Sequence, residues 1–370
     1  MSNQRFETLD AIRGLAAILV IPRHTAIFGD AASAMHSYLA VDLFFILSGF
    51  VIAHAYDAKI VAGSLSAARF MLARWVRLYP MYLLAALLAI VVAATRPEFE
   101  PNAQAKWTSI GTTLELVESA LLTLMFLPSR LGDSVLLFPL NTAFWSLFFE
   151  LVVNLLYVAF RRVLSLRVLL GLIVCLGLSV AYLGLRGNGV EMGWSWGLKS
   201  VVSGLFRASY GFAMGLLLYR IQSDLPSARP SFACIAVLAL AIAPLLMPDS
   251  GVSNGVIDDL AVLFVFPAAV LLGAKVQPSA RMLGIVALLG TISYPIYLLH
   301  VPFTILMERL YWMATGTRLE SVQPWGGIGM LALLILIAVL TNRYYDTPVR
   351  RRIGQWLEHR KAVGRIKPAV

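Results

Sequence analysis

The sequence has few charged residues for its length. Of its 370 residues, 14% are Asp, Glu, Lys or Arg, whereas soluble domains carry about a quarter. Hydrophobic residues make up 59% and form successive runs that are long enough to cross a bilayer. The sequence therefore predicts a polytopic, all-α membrane protein. An outer-membrane barrel is excluded, because its strands would appear as short segments of alternating hydrophobicity and these runs are long and unbroken.

Cysteine is nearly absent too. Cys175 and Cys234 are the only two, and both lie within apolar runs, so we expect neither a disulfide framework nor a metal site. The net charge of +10 is spread over alternate loops and the tail. That placement follows the positive-inside rule and argues against a nucleic-acid partner.

The apolar runs predict a bundle of ten transmembrane helices in one domain over residues 1–345, followed by a basic tail over 346–370. The spans are expected near 9–28, 38–57, 79–95, 135–160, 167–185, 200–220, 231–247, 258–274, 285–309 and 325–343. The basic loops predict cytoplasmic N- and C-termini. We expect the tail to be an amphipathic helix on the inner leaflet. Segment 114–128, in the long outer connection 96–134, is expected to be re-entrant, interfacial or the beginning of the fourth span.

Arg13 and His24 are the most informative residues of the first predicted span. They stand eleven residues apart, so a continuous α-helix would place both on one face, roughly 16 Å apart in depth. Ionisable groups inside a membrane normally line a cavity, a relay or a substrate path. Pro22 is expected to kink the helix near His24. The alternative is an arginine that reaches the lipid headgroups and a histidine that bonds a neighbouring helix.

Two acidic residues are candidates for supporting His24. Asp42, near the outer end of the second span, could orient the imidazole, or it could simply begin a helix. The second candidate is Glu150. The fourth span has a polar residue at every fourth position, Ser146, Glu150 and Asn154, and these three form a polar stripe on one helix face. Pairing with His24 or with a buried arginine would keep Glu150 ionised, and a purely structural role in helix bundling is the alternative.

Two further sets of polar residues share a helix face. Arg74 and Arg77 stand three apart and suit phosphate oxygens, although anchoring of the inner loop would explain them as well. In the ninth span Ser293, Tyr297 and His300 form an approximate polar face. Tyr297 and His300 could bond a sugar hydroxyl or an acyl carbonyl, or they could satisfy neighbouring helices.

Six short segments occur in a recognisable order. They are LDAIRGLAAILVIPRH, VDLFFILSGFVIA, RWVRLYP, FWSLFFE, ISYPIYLLH and DTPVRR, and they cover about residues 7–352. Together they resemble the bacterial acyltransferase-3 family of integral membrane acyltransferases. The resemblance implies a multi-pass protein of the bacterial cytoplasmic (inner) membrane. It would move an acyl group, most often acetyl, from cytoplasmic acyl-CoA to hydroxyls of extracytoplasmic polysaccharides or glycolipids.

The resemblance also implies roles for particular residues. Arg13 and His24 match the paired Arg and His of the family's first helix, and Arg74 and Arg77 match its RxxR motif, which is associated with acyl-CoA. Glu150 matches the acidic residue after the WS pair. Many relatives carry a periplasmic SGNH hydrolase-like domain, which this sequence lacks. We therefore expect transfer to be completed within the membrane domain or by a separate protein.

The sequence thus predicts an O-acyltransferase of acetyl-CoA and a carbohydrate or glycolipid acceptor. The expected site has His24, Glu150 and Asp42 as catalytic residues, Arg13, Arg74 and Arg77 on the CoA, and Ser146, Tyr297 and His300 on the substrate. His24 would be a general base, and a transient acyl-His24 is the open alternative.

A transporter or flippase of lipid-linked glycans is the rival class, with His24 and Glu150 as a proton relay. No repeat symmetry or matching interrupted helices favour it. A membrane sensor or scaffold would not need polar stripes on several helices.

Overall fold

The computed structural model describes residues 6–33, 35–95, 112–187, 189–222, 232–249, 251 and 254–365. These residues contain helices and two isolated bridges but no β-strand. The α-helices are α1 (Glu7–Leu19), α2 (Asp30–Ser33), α3 (Ala40–Ile52), α4 (Ala58–Val61), α5 (Ala67–Ala94), α6 (Thr113–Leu124), α7 (Phe144–Phe160), α8 (Leu166–Gly187), α9 (Leu198–Gln222), α10 (Ala233–Ile242), α11 (Asn254–Leu260), α12 (Phe266–Lys275), α13 (Leu283–Thr315), α14 (Trp325–Thr341) and α15 (Thr347–Arg365).

Seven helical segments of the described chain are long and apolar enough to cross a bilayer. They are His36–Val61, Ala67–Ala94, Leu166–Gly187, Leu198–Gln222, Asn254–Lys275, Ala280–Thr315 and Trp325–His359. Two shorter apolar helices cover Phe144–Phe160 and Ala233–Leu246. Each of the nine overlaps one predicted span, which confirms an all-α, multi-pass protein. Seven of them, rather than ten, have full spanning length, and the cytoplasmic placement of both termini stays a prediction.

The first predicted span is not one α-helix. α1 ends at Leu19, and the chain continues as two 3-10 turns, Ile21–His24 and Ala26–Phe28. Pro22 lies at the start of the first turn, where its ring fixes φ and its missing N–H cannot extend the α-helical ladder. The expected kink is therefore a change of helix type. The three-turn alignment of Arg13 with His24 on one α-helical face was wrong.

The segment 114–128 is not the beginning of the fourth span. α6 begins with a capping box formed by Thr112 and Glu115, and it packs against α5, whose Tyr82 hydroxyl donates to the Thr123 carbonyl oxygen at 2.5 Å. A loop follows α6, and α7 begins only at Phe144, well inside the predicted span 135–160. Residues 96–111 of the predicted connection lie outside the described residues.

Two glycine contacts set the position of the helices around the centre. A Cβ added to Gly14 of α1 would lie 2.5 Å from the Leu289 carbonyl oxygen of α13, so the two helices are in backbone contact there. A Cβ on Gly49 of α3 would lie 2.1 Å from the Phe212 carbonyl oxygen of α9. Gly49 thus allows the close packing of α3 against α9. Arg13 is thereby placed beside α13, and Asp42 beside α9.

The predicted tail is helical. α14 continues through a π-helical turn, Asn342–Asp346, into α15. The beginning of α1 and the end of α14 lie at the same end of the bundle, where Asp10 and Asp346 line one cavity. We call this the inner end, because the charge pattern predicts it to be cytoplasmic, and the opposite end the outer end.

Candidate active site

A central cavity of about 150 Å³ lies among α1, α3, α5, α7 and α13. Six of the nine predicted site residues line it: Arg13, Arg74, Arg77, Ser146, Glu150 and Tyr297. The rest of the wall is mostly apolar and comes largely from α3. The volume is below the about 300–1,000 Å³ of sites that enclose a compact drug-sized ligand. The cavity is therefore too small to enclose a compact drug-sized ligand.

Glu150 is bound to an arginine inside this cavity. Arg74 Nη2 donates to Glu150 Oε1 at 2.6 Å, and the Ser48 hydroxyl donates to the same oxygen at 2.7 Å. Of the two partners expected for Glu150, His24 or a buried arginine, the structure places the arginine in contact. Arg74 Nε is buried and lacks a hydrogen-bond partner among the described residues. Ser48 of α3 therefore belongs to the same group as Arg74 and Glu150.

Arg13 and Arg77 differ in how they are paired. Arg13 Nε donates to the Ser293 hydroxyl at 3.0 Å, and its Nη2 donates to Asp10 at 2.8 Å. The Arg77 guanidinium lies over the ring of Tyr294, 5.4 Å from its centroid. No hydrogen bond or ion pair joins Arg77 to another residue of the described chain. Arg77 is thus a cation in a cavity wall with its donors available.

The three residues predicted to contact substrate are neighbours. Ser146 Oγ and the Tyr297 hydroxyl lie 2.6 Å apart, and the rings of Tyr297 and His300 are 5.9 Å apart. His300 Nδ1 lies 2.8 Å from the Tyr297 carbonyl oxygen, which can only accept a hydrogen bond. Nδ1 therefore carries the proton, and Nε2 of the neutral ring is an acceptor. That Nε2 is buried and has no partner among the described residues.

His24 lies next to His300. The centroids of the two imidazole rings are 4.9 Å apart, with the planes tilted by 55°. The following residue, Thr25, donates from its hydroxyl to Glu308 at 3.0 Å, which ties the 3-10 turn to α13. The structure therefore connects His24 to the central cavity through His300 and Tyr297. The sequence had assigned His300 to the substrate and had not paired it with His24.

Asp42 is engaged by an arginine that the sequence analysis missed. Arg207 of α9 donates from Nε to Oδ1 at 2.9 Å and from Nη2 to Oδ2 at 2.6 Å, and both side chains are almost fully buried. A planar guanidinium fork matches a carboxylate in this bidentate way. Both oxygens of Asp42 are thus held by Arg207. The only signal for Arg207 was a charge inside an apolar helix.

More polar residues meet at the outer end beside His24. Arg23 forms an ion pair with Glu191 and lies over the Tyr38 ring, 5.3 Å from its centroid. The Tyr38 hydroxyl donates to Asp258, which also accepts a bond of 2.8 Å from the Val190 backbone N–H. We call these residues, together with Asp42 and Arg207, the outer cluster. The sequence analysis found only Asp42 among them, since the pairs join distant parts of the chain.

The fold and the cavity define a multi-pass membrane protein in which arginine, glutamate and hydroxyl side chains meet in a cavity among the helices. The sequence model of the acyltransferase-3 family, described as an acyltransferase domain, matches residues 6–343. The chain therefore belongs to this family of membrane acyltransferases. It is also similar to a protein of Rhizobium radiobacter named "Protein 2 in picA locus", with 44% identity over 159 residues, 42% of this chain and 81% of that protein. No solved structure matches it significantly.

Proposed function

We propose that this membrane acyltransferase moves an acetyl group from cytoplasmic acetyl-CoA to a hydroxyl of an extracytoplasmic carbohydrate or glycolipid. One observation carries the proposal. The central cavity is lined by arginines at its inner end, and ring contacts lead from Tyr297 in its wall through His300 to His24. This arrangement brings a place for an anionic donor close to a place where a proton can be taken from an acceptor.

The inner part of the cavity suits the CoA end of the donor. Arg77 has no anionic partner among the described residues and lies where the cavity wall is most basic. Charge-assisted bonds from guanidinium groups to phosphate oxygens are among the strong hydrogen bonds of proteins. The pantetheine arm of CoA is long and thin, and we expect it to lie along the apolar residues of α3 that line much of this cavity.

At the other end, His24 acts as general base. Its imidazole takes the proton of the acceptor hydroxyl while the hydroxyl oxygen attacks the thioester carbonyl carbon. The C–S bond then breaks, CoA leaves as a thiolate, and the imidazolium returns the proton to that sulfur. In the alternative path the imidazole attacks the thioester itself, and the acceptor hydroxyl removes the acetyl group from His24 in a second step.

The tautomer of His300 decides what this ring can bind. Its Nδ1–H is used by backbone carbonyls, so Nε2 can accept a hydrogen bond but cannot donate one. A sugar hydroxyl, or an N–H of His24, can donate to Nε2, whereas an acyl carbonyl cannot. We therefore place His300 on the hydroxyl side of the reaction. Binding of a hydroxyl would satisfy a buried acceptor that otherwise costs about 1–3 kcal/mol.

The two carboxylates take positioning roles in this proposal. Glu150 holds Arg74 and Ser48 in the cavity wall, and Asp42 holds Arg207 behind it. Each carboxylate neutralises a cation that would be costly to bury alone. Their predicted contact with the imidazole is not needed for the transfer.

The test uses the full chain, purified and reconstituted in nanodiscs. Labelled acetyl-CoA is mixed with surface glycans from a strain that lacks the gene, and transfer of the label is followed for the wild type, His24→Ala and His300→Phe. We expect transfer by the wild type, none by His24→Ala, and a slow reaction by His300→Phe, which keeps an aromatic ring but loses both ring nitrogens. A wild type that transfers no label, or a fully active His24→Ala protein, contradicts the proposal.

The acceptor is identified in cells. The surface glycans of the deletion strain and its parent are compared by mass spectrometry, and we expect a difference of one acetyl group on one glycan. Identical glycans in both strains contradict a carbohydrate acceptor.

A further inference from the structure

A second cavity, of about 200 Å³, lies at the inner end of the bundle. Among the described residues, its charged side chains are Asp10, Arg13, Arg77, Asp346 and Arg350, from the beginning of α1, from α5 and from the tail. We call it the inner cavity. It shares Arg13, Arg77 and Tyr294 with the central cavity, so these three side chains form the boundary between the two.

The charges of the inner cavity do not cancel. Asp10 pairs with Arg13 at 2.8 Å, and Asp346 pairs with Arg350 at 2.6 Å. Arg77 is the third guanidinium, and within the described chain no carboxylate pairs with it. The described chain therefore contributes three cations and two anions to a partly enclosed space. Such a space attracts an anion, because the field of an uncompensated charge is less screened there than on an open surface.

The arginines also keep donors for that anion. Arg350 uses Nη2 and Nε on Asp346, and its Nη1 has no partner in the described part of the chain. Arg13 likewise uses Nε and Nη2 on Ser293 and Asp10 and leaves Nη1. All the N–H donors of the Arg77 guanidinium remain available within the described chain. Arginine forks that meet in one cavity are the usual means of holding phosphate oxygens.

We infer that the inner cavity binds the phosphate groups of the acyl-CoA, and that Arg350 of the tail is one of the residues that bind them. The inference rests on the proposed donor. It assigns the two ends of that donor to two cavities, the phosphates to the inner one and the pantetheine arm to the central one. Asp346, almost fully buried, positions Arg350 by holding its Nη2.

The experiment separates the two ends of the donor. The wild type and Arg350→Gln, as full chains in phosphatidylcholine nanodiscs at fixed salt, are titrated with CoA and with pantetheine, which has the same arm but no phosphate. We expect Arg350→Gln to raise the Kd of CoA about tenfold to a hundredfold, as for the loss of a charge-assisted hydrogen bond. The Kd of pantetheine should not change.

Two variants serve as controls. Arg351→Gln removes the neighbouring charge, which is exposed and does not line the cavity, and should leave the Kd of CoA as in the wild type. Arg350→Lys keeps the charge but loses the planar fork, and should give an intermediate Kd. An Arg351→Gln protein as weak as Arg350→Gln would overturn the inference, because the effect would then come from the overall charge of the tail.

The remaining outcomes are also decisive. Equal losses for CoA and pantetheine would mean that Arg350 only maintains the fold, and an unchanged Kd of CoA would remove it from the site. A headgroup phosphate of the inner leaflet is the other source of the same chemistry. In that case Arg350→Gln would lose bound phosphatidylglycerol in native mass spectrometry but keep its affinity for CoA. A wild type that does not bind CoA would contradict the proposed donor itself.

Discussion

At the outer end of the bundle Arg23 and Arg207 are each paired with a carboxylate, whereas at the inner end Arg77 forms no such pair within the described chain. Arg207 is held by Asp42 and Arg23 by Glu191. At the boundary of the two cavities Arg77 has only the ring of Tyr294 beneath it within the described chain. The same residue type thus occurs in two settings, both away from open solvent.

The difference separates structural arginines from those of a binding site. In a buried pair such as Asp42–Arg207, both carboxylate oxygens are already bound to the guanidinium, so the pair has little to offer a ligand. An arginine with unused donors in a cavity wall gains most when an anion arrives. The presence of buried charge therefore does not by itself locate the binding site in this protein. The site is indicated by the arginines that lack a carboxylate partner within the described chain.

His24→Ala removes the proposed general base, which lies away from the arginines of the inner end. Of the substitutions considered, it should have the largest effect on acetyl transfer. Loss of a general base lowers the rate by about 10²- to 10⁴-fold. Acetyl transfer should therefore fall to background while the Kd of CoA stays within about twofold, since the arginines lie at the inner end. Both quantities are measured on the same nanodisc preparation.

A rapid-quench experiment with the same pair of proteins sharpens the mechanism. Labelled acetyl-CoA is added without acceptor, and the label retained on the protein is counted. Transient label on the wild type that is absent from His24→Ala identifies His24 as a nucleophile. No label on either protein, with normal transfer by the wild type, identifies His24 as a base.

Asp42→Asn tests the paired side of the comparison. It leaves Arg207 buried without its carboxylate, and breaking such a pair costs about 3–5 kcal/mol of stability. The variant should unfold at a clearly lower temperature in nanodiscs, whereas Asp133→Asn, at an exposed carboxylate, should not. A double variant, Asp42→Asn with Arg207→Gln, should recover part of the loss. An Asp42→Asn protein of full stability that has lost transfer would contradict the structural role and support the predicted catalytic one.

The sequence predicted the helices and their polar faces better than it predicted which side chains pair with one another. Hydropathy located the apolar helices, and the spacing of Ser146, Glu150, Tyr297 and His300 placed them on inward faces. Those properties follow from local periodicity alone. The break at Pro22 was expected as a kink, but the change to 3-10 geometry that removes His24 from the face of Arg13 was not. A periodicity argument assumes a constant helix type.

The local sequence pattern could not predict which residues contact one another across the bundle. Asp42 and Arg207 are 165 residues apart, and Glu150 and Arg74 are 76 apart. Only the close approach of α3 to α9, allowed by Gly49, brings the first pair together. The adjacency of His24 and His300 depends in the same way on the contact of α1 with α13. Which carboxylate meets which arginine is a property of the packed bundle.

Arg77→Gln tests the unpaired side. Removing the free guanidinium should raise the KM for acetyl-CoA about tenfold to a hundredfold with little change in kcat, because it removes charge-assisted contacts to the bound donor. The melting temperature should stay close to that of the wild type, since no ion pair within the described chain is broken. This result would be the opposite of that for Asp42→Asn. A large loss of stability in Arg77→Gln would show that the two ends do not differ as proposed.

Tyr297→Phe should have the smallest effect, and its size separates two uses of one hydroxyl. The hydroxyl bonds Ser146 at 2.6 Å, and hydrogen bonds between membrane helices are worth about 0.6 kcal/mol on average, or roughly a threefold change. If the bond only joins α13 to α7, Tyr297→Phe and Ser146→Ala should lower the free energy of unfolding equally, by about this amount, and should leave kcat/KM close to that of the wild type. If Tyr297 also contacts the acceptor, Tyr297→Phe should lower kcat/KM more than Ser146→Ala, and the excess should appear in the KM of the acceptor and not in that of acetyl-CoA. Equal losses would therefore limit the acceptor contacts in this part of the site to His24 and His300, next to the outer cluster.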